Sequence, residues 1–412
     1  MRNYFLILSL FFSFQSFGQS LEQCENKLQN NNLLLKSLAY DVEISVSKAL
    51  QSSIRSLPIA ETSINGLNPE SSRLFDGGRN GQKTLGISQT IYTGQKKIKE
   101  RKYFDSEIKN HELNLFSVLA ELKFNLKENY FRLYFAKQQH KIITEQSQHT
   151  DSLLGYYTTQ ANRGNIPYKD VARLQSLSLS LLNQILLLNQ DILHCQSNLK
   201  TLLQTDQDIE PTLKDTDFLS KYINNNLIVE SRLLDSAEKN NITIQQARHL
   251  LQSAELALQW QKSLAIPNFE IGTAYDQRGG AFSNEVNLTL VFPIPLWNQN
   301  KGNIDAAKTE VLKAKTLGEH FIKEQQTKIK TAYLAFLNHK EKYLMASDVN
   351  INQMSEIYLN YLTNIRKRNI TLIEFIDFAE GYYQSRLLLN QLRLNLILSG
   401  EEINFLTYSN IF

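Results

Sequence analysis

Ala265-Ile266-Pro267-Asn268-Phe269-Glu270-Ile271-Gly272-Thr273-Ala274-Tyr275 runs to a glycine tip at Arg278-Gly279-Gly280, and Val286-Asn287-Leu288-Thr289-Leu290 follows it. Apolar and polar residues alternate through both runs. Period two with one apolar face describes a strand that meets apolar material on one side. The same unit stands roughly 205 residues earlier. There Ser56-Leu57-Pro58-Ile59-Ala60-Glu61 leads through Asp76-Gly77-Gly78 to Thr84-Leu85-Gly86-Ile87-Ser88-Gln89, a weaker version of the same alternation. Helical sequence flanks each hairpin, so the chain reads as two tandem helix-hairpin-helix repeats.

The first repeat takes residues 19–205, with strands about 57–66 and 83–92 and a long helical hairpin over 94–203. A connector, 206–226, leads to the second repeat, 227–412, with strands about 267–276 and 284–292 and a helical hairpin over 296–405. None of the 7 prolines falls inside a proposed helix. An interior proline costs a helix about 3 kcal/mol, so their absence permits very long ones. Leu174, Leu177, Leu181, Ile185, Leu188, Ile192, Cys195, Leu199 and Leu202 recur in threes and fours, the seam of a coiled coil. The segment from Gly94 to about Asn162 would reach on the order of 100 Å. Helices of that length pack side by side instead of around one globular core.

Arg2, the apolar run Tyr4 to Phe14 and the small residues Ser16-Phe17-Gly18 read as a secretory signal peptide over 1–18. Beyond it no run approaches the ~20 consecutive apolar residues of a spanning helix. A net charge of +3 gives no basic surface for nucleic acid. Cys24 and Cys195 are too few for a disulfide scaffold. Cys195 keeps step with its helix's apolar series and reads as a buried thiol, with a Cys24–Cys195 bridge left open. The 7 histidines form no i, i+4 pair and no zinc spacing, and no phosphate-binding glycine loop occurs. No enzyme, metal site or cofactor is expected.

Each strand is about ten residues, the length that crosses a membrane when tilted. Phe269, Ile271, Tyr275, Val286, Leu288 and Leu290 would then face lipid. Four strands per chain cannot close a barrel, and lipid does not tolerate open sheet edges, so the membrane reading demands an oligomer. Soluble hairpins packed on helices are the alternative these strands leave open.

On the repeat, the paired hairpins and the long helices, the whole mature chain resembles the TolC family of outer-membrane efflux ducts. Phe292-Pro293-Ile294-Pro295-Leu296-Trp297-Asn298-Gln299-Asn300-Lys301-Gly302-Asn303-Ile304 is similar to that family's cobalt-zinc-cadmium branch. The resemblance implies a mainly α fold with a membrane β-barrel portion. It implies a homotrimer forming one twelve-stranded barrel on a long α-helical periplasmic tunnel. It also implies an outer-membrane location, a periplasmic adaptor and an inner-membrane pump of the resistance-nodulation-division type. The chain would be the passive exit duct of a tripartite efflux system for small molecules or metal ions. Type I protein secretion remains open within that architecture. A periplasmic coiled-coil adaptor or structural protein without a barrel is the alternative outside it.

The resemblance also assigns two helix-helix turns to the periplasmic tip, where the adaptor docks. The first is Gly164, Asn165, Ile166 and Pro167 with Asp170 beyond it; the second is Asn369, Ile370 and Thr371. Gly164 and Asn165, or Asn369, are expected to take the left-handed geometry that ends a helix. Pro167 or Thr371 suits the start of the next. Glu374 and Asp377 match the family's paired acidic positions and, three residues apart, share a helix face. Threefold symmetry would stack them into two negative rings that pass cations, with some carboxylate pKa values raised by crowding. The family's closing Tyr and Arg are replaced by Ile365 and Ile370, with Arg366, Lys367 and Arg368 nearby.

Overall fold

The computed structural model describes residues 19–412 except 70, 71, 80, 214–217, 225–227, 280 and 298. The expected signal segment, with Gly280 and Asn298 of the quoted motifs, lies outside the described residues. In chain order the elements are α1 (Leu21–Asn31), α2 (Leu33–Ser53), β1 (Ile59–Asn68), β2 (Arg73–Asp76) and β3 (Gln82–Ile91). Then come α3 (Lys96–Asn162), α4 (Tyr168–Leu203), α5 (Ser220–Ile223), α6 (Glu230–Asn240) and α7 (Ile242–Leu264). β4 (Phe269–Arg278), β5 (Phe282–Val291), α8 (Lys301–Ser347), α9 (Ile351–Arg366) and α10 (Leu372–Thr407) complete the chain. Its residues divide into two compact units. One holds the residues up to Leu35, Val118–Asn241 and Gln326–Phe412; the other holds Lys36–Ser117 and Ile242–Gln325.

The second unit carries the sheet, in the order β2-β1-β3-β4-β5, antiparallel throughout. The two hairpins therefore join edge to edge through β3 and β4, from Gln82↔Arg278 to Ile91↔Phe269. The expectation of four strands per chain needs correction, because β2 is a fifth. β1 pairs with β3 only over Ile59–Ile64, and its end turns to β2 through Asn65↔Asp76 and Leu67↔Leu74. Ser72, just before β2, and Phe75, within it, take positive φ values of 51° and 52°. Beneath the sheet, Trp260 of α7 stacks on Tyr103 of α3 at 5.5 Å, and Ser253 Oγ donates to Glu107 Oε1 at 2.7 Å. Gly94, at φ +63°, opens α3; a Cβ there would sit 2.7 Å from Ile266 Cδ1.

The other unit holds two cores. In the larger, Leu126, Tyr130 and Phe131 of α3 meet Leu199 of α4, Phe336 of α8 and Leu396 of α10, with Ile209 and Tyr222 covering them from the connector. The Tyr130 hydroxyl lies between the carbonyls of Gln19 and Thr212, at 2.7 and 2.8 Å. Glu401, 3% exposed, binds Lys127 Nζ at 2.8 Å and the Tyr222 hydroxyl at 2.7 Å, with Lys221 Nζ at 3.5 Å. Burial pushes the Glu401 carboxyl up, but Lys127, Tyr222 and Lys221 together hold it below its usual value. The smaller core joins Leu153, Tyr157, Leu174, Tyr358, Phe375 and Tyr383 beside the helix turns. Cys24 and Cys195 are both buried and both free.

Two features depart from the expected helices. The descending helix of the second repeat is interrupted at 348–350, where the Asn350 side chain accepts from Gln353 N–H and starts α9. α4, contrary to the expectation that no helix could span, is long and apolar enough to cross a membrane by length and composition. The reason is that its leucines serve two faces. Leu174, Leu181 and Leu199 are buried, while Leu179, Leu182, Leu186 and Leu193 stand exposed.

Candidate functional site

The two helix turns have the same hydrogen bonds. After α3, Asn165 N–H donates to Gln160 O and Gly164 N–H to Ala161 O, both at 2.9 Å. After α9, Asn369 N–H donates to Asn364 O at 3.0 Å and Arg368 N–H to Ile365 O at 3.1 Å. This is the Schellman pattern, which satisfies the last carbonyls of a helix through one left-handed residue. That residue is Gly164, at φ +72°, and Arg368, at φ +63°. Of the residues offered as tolerating this geometry, Gly164 takes it, and Asn165 and Asn369 do not. Each sits one place later and folds its amide back, to Gln160 Oε1 at 2.9 Å and to Asn364 Oδ1 at 3.0 Å. Ile166 and Ile370 pack on the smaller core.

Pro167 and Thr371 are the N-cap residues of α4 and α10. Asp170 lies in the first turn of α4, where a negative charge suits the helix dipole. Its counterpart Glu374 does more. The Thr371 side chain accepts from Glu374 N–H, and Glu374 Oε2 accepts from Thr371 N–H at 2.7 Å and Thr371 Oγ1 at 2.8 Å. This reciprocal cap holds the Glu374 carboxyl below its usual range, through the backbone N–H first and the hydroxyl second. In the single chain the direction is opposite to the rise expected from crowding. Asp377, one turn on, is exposed and makes no hydrogen bond or ion pair among the described residues.

A cluster behind the turns has no counterpart in the sequence reading. Arg386 Nη1 on α10 donates to both Glu145 oxygens on α3, at 3.0 and 3.1 Å, and its guanidinium lies 5.4 Å from the Tyr382 ring centre. His149 Nδ1 on α3 lies 3.0 Å from the Tyr358 hydroxyl and 3.1 Å from that of Tyr383. The basic run nearby also reaches α3: Arg366 donates to Ser152 Oγ and Arg368 to Gln160 Oε1. These partners are more than 200 residues apart, so no local spacing announces them.

On the sheet, opposed residues share a face. One face collects Ala60, Ile64, Leu85, Ile87, Phe269, Ile271, Tyr275, Val286, Leu288 and Leu290 through the pairs Leu85↔Tyr275, Gln89↔Ile271, Ile271↔Leu290 and Tyr275↔Val286. The other collects Glu61, Ser88, Thr90, Glu270, Asp276, Glu285 and Asn287, with Gly86, Gly272 and Ala274 between them. Both faces are open on the outer strands, where Glu61, Glu285 and Asn287 are exposed, but the apolar face is not covered as it would be in a water-soluble sheet. Leu288 is 89% exposed and Val286 68%, whereas Glu270 and Asp276 are partly covered. The polar face is tightly spaced: a Cβ on Gly272 would stand 3.1 Å from Ser88 Cβ. The outer edges of β5 and of β1 over 59–64 have no partner strand among the described residues. Among those residues no three His, Cys, Asp or Glu side chains gather as a metal site.

No family model matches the sequence, and no curated protein matches it. Solved structures do match along nearly the whole chain. The CusC structure, described in terms of folding and transmembrane channel formation, superposes with a TM-score of 0.74 at 13% identity, over 95% of this chain and 92% of that one. This chain shares the fold of that structure. The CmeC outer membrane channel of Campylobacter jejuni gives 0.74 at 15% identity, over 94% of this chain and 85% of that one. The open state of the Neisseria gonorrhoeae MtrE outer membrane channel gives 0.71 at 13%, over 95% and 89%. The shared fold therefore extends over nearly the whole chain, at identities where side-chain roles have to be argued from this chain.

Proposed function

We propose that this chain is the outer-membrane exit duct of an efflux system. The observation that carries the reading is the apolar sheet face, exposed at Ile64, Leu85, Ile87, Ile271, Val286, Leu288 and Leu290, beside two unpaired strand edges. In water such a face would be covered; in lipid it is already in its proper surroundings. Soluble hairpins, and with them a periplasmic coiled-coil adaptor or structural protein, would need the opposite arrangement. β1 and β5 run in opposite directions, so the free edge of β5 in one copy can pair with that of β1 in the next. Repetition around an axis then closes an all-antiparallel barrel without an edge. Three copies contribute twelve long strands, the number the family resemblance implies. The exposed leucine ridge of α4 supplies an apolar surface for the neighbouring copy.

In this trimer the helix turns form the periplasmic tip, and Gly164, Asn165, Ile166, Pro167, Asp170, Asn369, Ile370 and Thr371 present it to a periplasmic adaptor. An inner-membrane pump, of the resistance-nodulation-division type, supplies the energy. The cargo is small molecules or metal ions; the Phe292–Ile304 segment favours the cobalt-zinc-cadmium branch. Glu374 and Asp377 line the constriction, but unequally. Glu374 is engaged in its cap, so Asp377 carries the freer charge and dominates cation selection.

Single-channel conductance in planar bilayers tests the reading. Cation-selective steps that weaken in Asp377→Asn, and less in Glu374→Gln, are expected. Steps indifferent to both would move the constriction elsewhere. Protein that washes off membranes and never inserts would overturn the duct itself.

A further inference from the structure

A cavity of about 330 Å³ lies at the end of β3, between that strand, the start of α3 and the segment that joins α2 to β1. Arg55, Lys96 and Lys97 line it, and among the described residues no acid does. The backbone is held so as to bring these cations together. Lys97 Nζ donates to Ser52 O at 3.3 Å and Gln89 Nε2 to Ser56 O at 3.0 Å, so α3 and β3 each fix one end of the 52–56 segment. Arg55 stands within that segment, exposed, and makes no hydrogen bond or ion pair among the described residues. Lys96 is buried and tied to Asn268 Oδ1, where it adds charge without being free to turn. Lys97 is partly exposed; it pairs with Glu100 at 3.0 Å and lies 5.1 Å from the Tyr92 ring centre.

The surroundings of these cations are apolar. Ile91 ends β3 opposite Phe269, on the face that carries Leu85 and Ile87, and it lines the cavity together with Ile98. Ile98 is exposed, as are Ile54 and Leu57 on either side of Arg55. An acid-free cationic hollow therefore opens where the apolar face of the sheet ends. The second repeat does not reproduce it, since Leu264 stands three residues before Pro267 as Arg55 stands before Pro58. A guanidinium and an ammonium offer donors only, and the guanidinium fork matches two oxygens of a phosphate. A free anion would leave the isoleucines unused, whereas a phosphate ester that carries acyl chains engages both parts.

We infer that this hollow binds the headgroup phosphate of an anionic phospholipid, held by Arg55 and Lys97, with the acyl chains lying along Ile91 and the apolar face beyond it. The inference rests on the duct reading, which puts that face in lipid. It adds a fixed level, because the end of β3 would stand at the headgroups of the leaflet nearer the helices, one lipid to each chain.

The test titrates the full chain, purified in detergent and stripped of lipid, with dioleoyl-phosphatidylglycerol and with dioleoyl-phosphatidylcholine, and counts bound lipid by native mass spectrometry. The expected result is one phosphatidylglycerol per chain, bound about 30-fold tighter than phosphatidylcholine. Arg55→Gln should cut that preference to about 5-fold, and Arg55→Gln with Lys97→Gln to near one. Lys83→Gln, which removes an exposed cation at the other end of β3, should leave it whole. Arg55 has no partner to lose, so where the double variant fails to assemble, Arg55→Gln alone decides. Glycerol 1-phosphate bound as tightly as phosphatidylglycerol would make this a site for a soluble anion and overturn the lipid. A wild-type preference near one, or equal loss from Lys83→Gln, would overturn this inference alone. Protein that never inserts into planar bilayers would overturn the duct reading and this inference with it.

Discussion

Replacing Leu288 by Arg tests which face of the sheet meets lipid. Leu288 stands opposite Thr273, near the middle of both β4 and β5, and is 89% exposed. A cationic side chain on the lipid face of a barrel near the midplane costs about 2–4 kcal/mol. That is a factor of roughly 30 to 900 in the insertion equilibrium of one copy. In the proposed trimer, three copies sharing one barrel multiply the penalty to about 6–12 kcal/mol per assembly, comparable to the whole stability of a domain. Asn287→Arg, one residue away, projects from the polar face opposite Ala274 and should cost little. The assay is the yield of heat-modifiable trimer from the outer-membrane fraction, compared for wild type and the two variants. Leu288→Arg should abolish the trimer band and Asn287→Arg should leave it. Wild-type yield from Leu288→Arg, or equal loss from both, would refute the assignment of faces.

Glu401→Gln should destabilise the chain by about 1.5–3 kcal/mol, because it removes the charge-assisted bonds that the buried carboxylate makes to half-buried Lys127 and to Tyr222; the thermal unfolding midpoint reads it. The native Glu401 carboxyl titrates below its ordinary value of 4.5, so its contribution is fully present above that pH and is lost as pH falls through the lower native value. The midpoint of wild type should therefore fall on acidification across that window, and the slope should flatten in Glu401→Gln. At the turns, Gly164→Ala forces a Cβ into left-handed geometry and should cost about 1 kcal/mol, whereas Arg368→Gly should stabilise by a similar amount; paired denaturation curves would show opposite shifts. The thiol of Cys24, pushed up to about 11 chiefly by burial, and that of Cys195, raised for the same reason, should resist a thiol reagent in the native chain and react on unfolding. Fast native labelling of Cys24 would contradict the packing around it.

The parts of the fold that local chemistry dictates were legible in the sequence. Alternation at Phe269–Tyr275 and Val286–Leu290 marks strands because a pleat turns successive side chains to opposite faces, and no distant contact is needed to see it. The two turns were visible for the same reason, through Gly164 and Pro167 and through Thr371. Arg368 was not, since a positive φ at arginine is held by the surrounding hydrogen bonds and not by its own preference. The capping box Thr371-Leu372-Ile373-Glu374 could have been read from its spacing. β2 could not, because Arg73–Asp76 does not alternate and exists only where β1 outruns its partner. Glu401 and Arg386 are equally silent in sequence: their roles depend on residues brought from far along the chain.

The uncovered apolar face of the sheet also has a consequence in time. Until its edges are matched, each newly made chain carries Leu85, Val286, Leu288 and Leu290 bare, beside two strands that will accept any other strand. In the proposed oligomer, closure needs encounters with like chains, and so does clumping. On that reading productive assembly depends on the rate of supply: slow synthesis favours closed rings, and faster synthesis favours aggregate. An escort that masks this face in transit would raise the yield without altering the finished molecule.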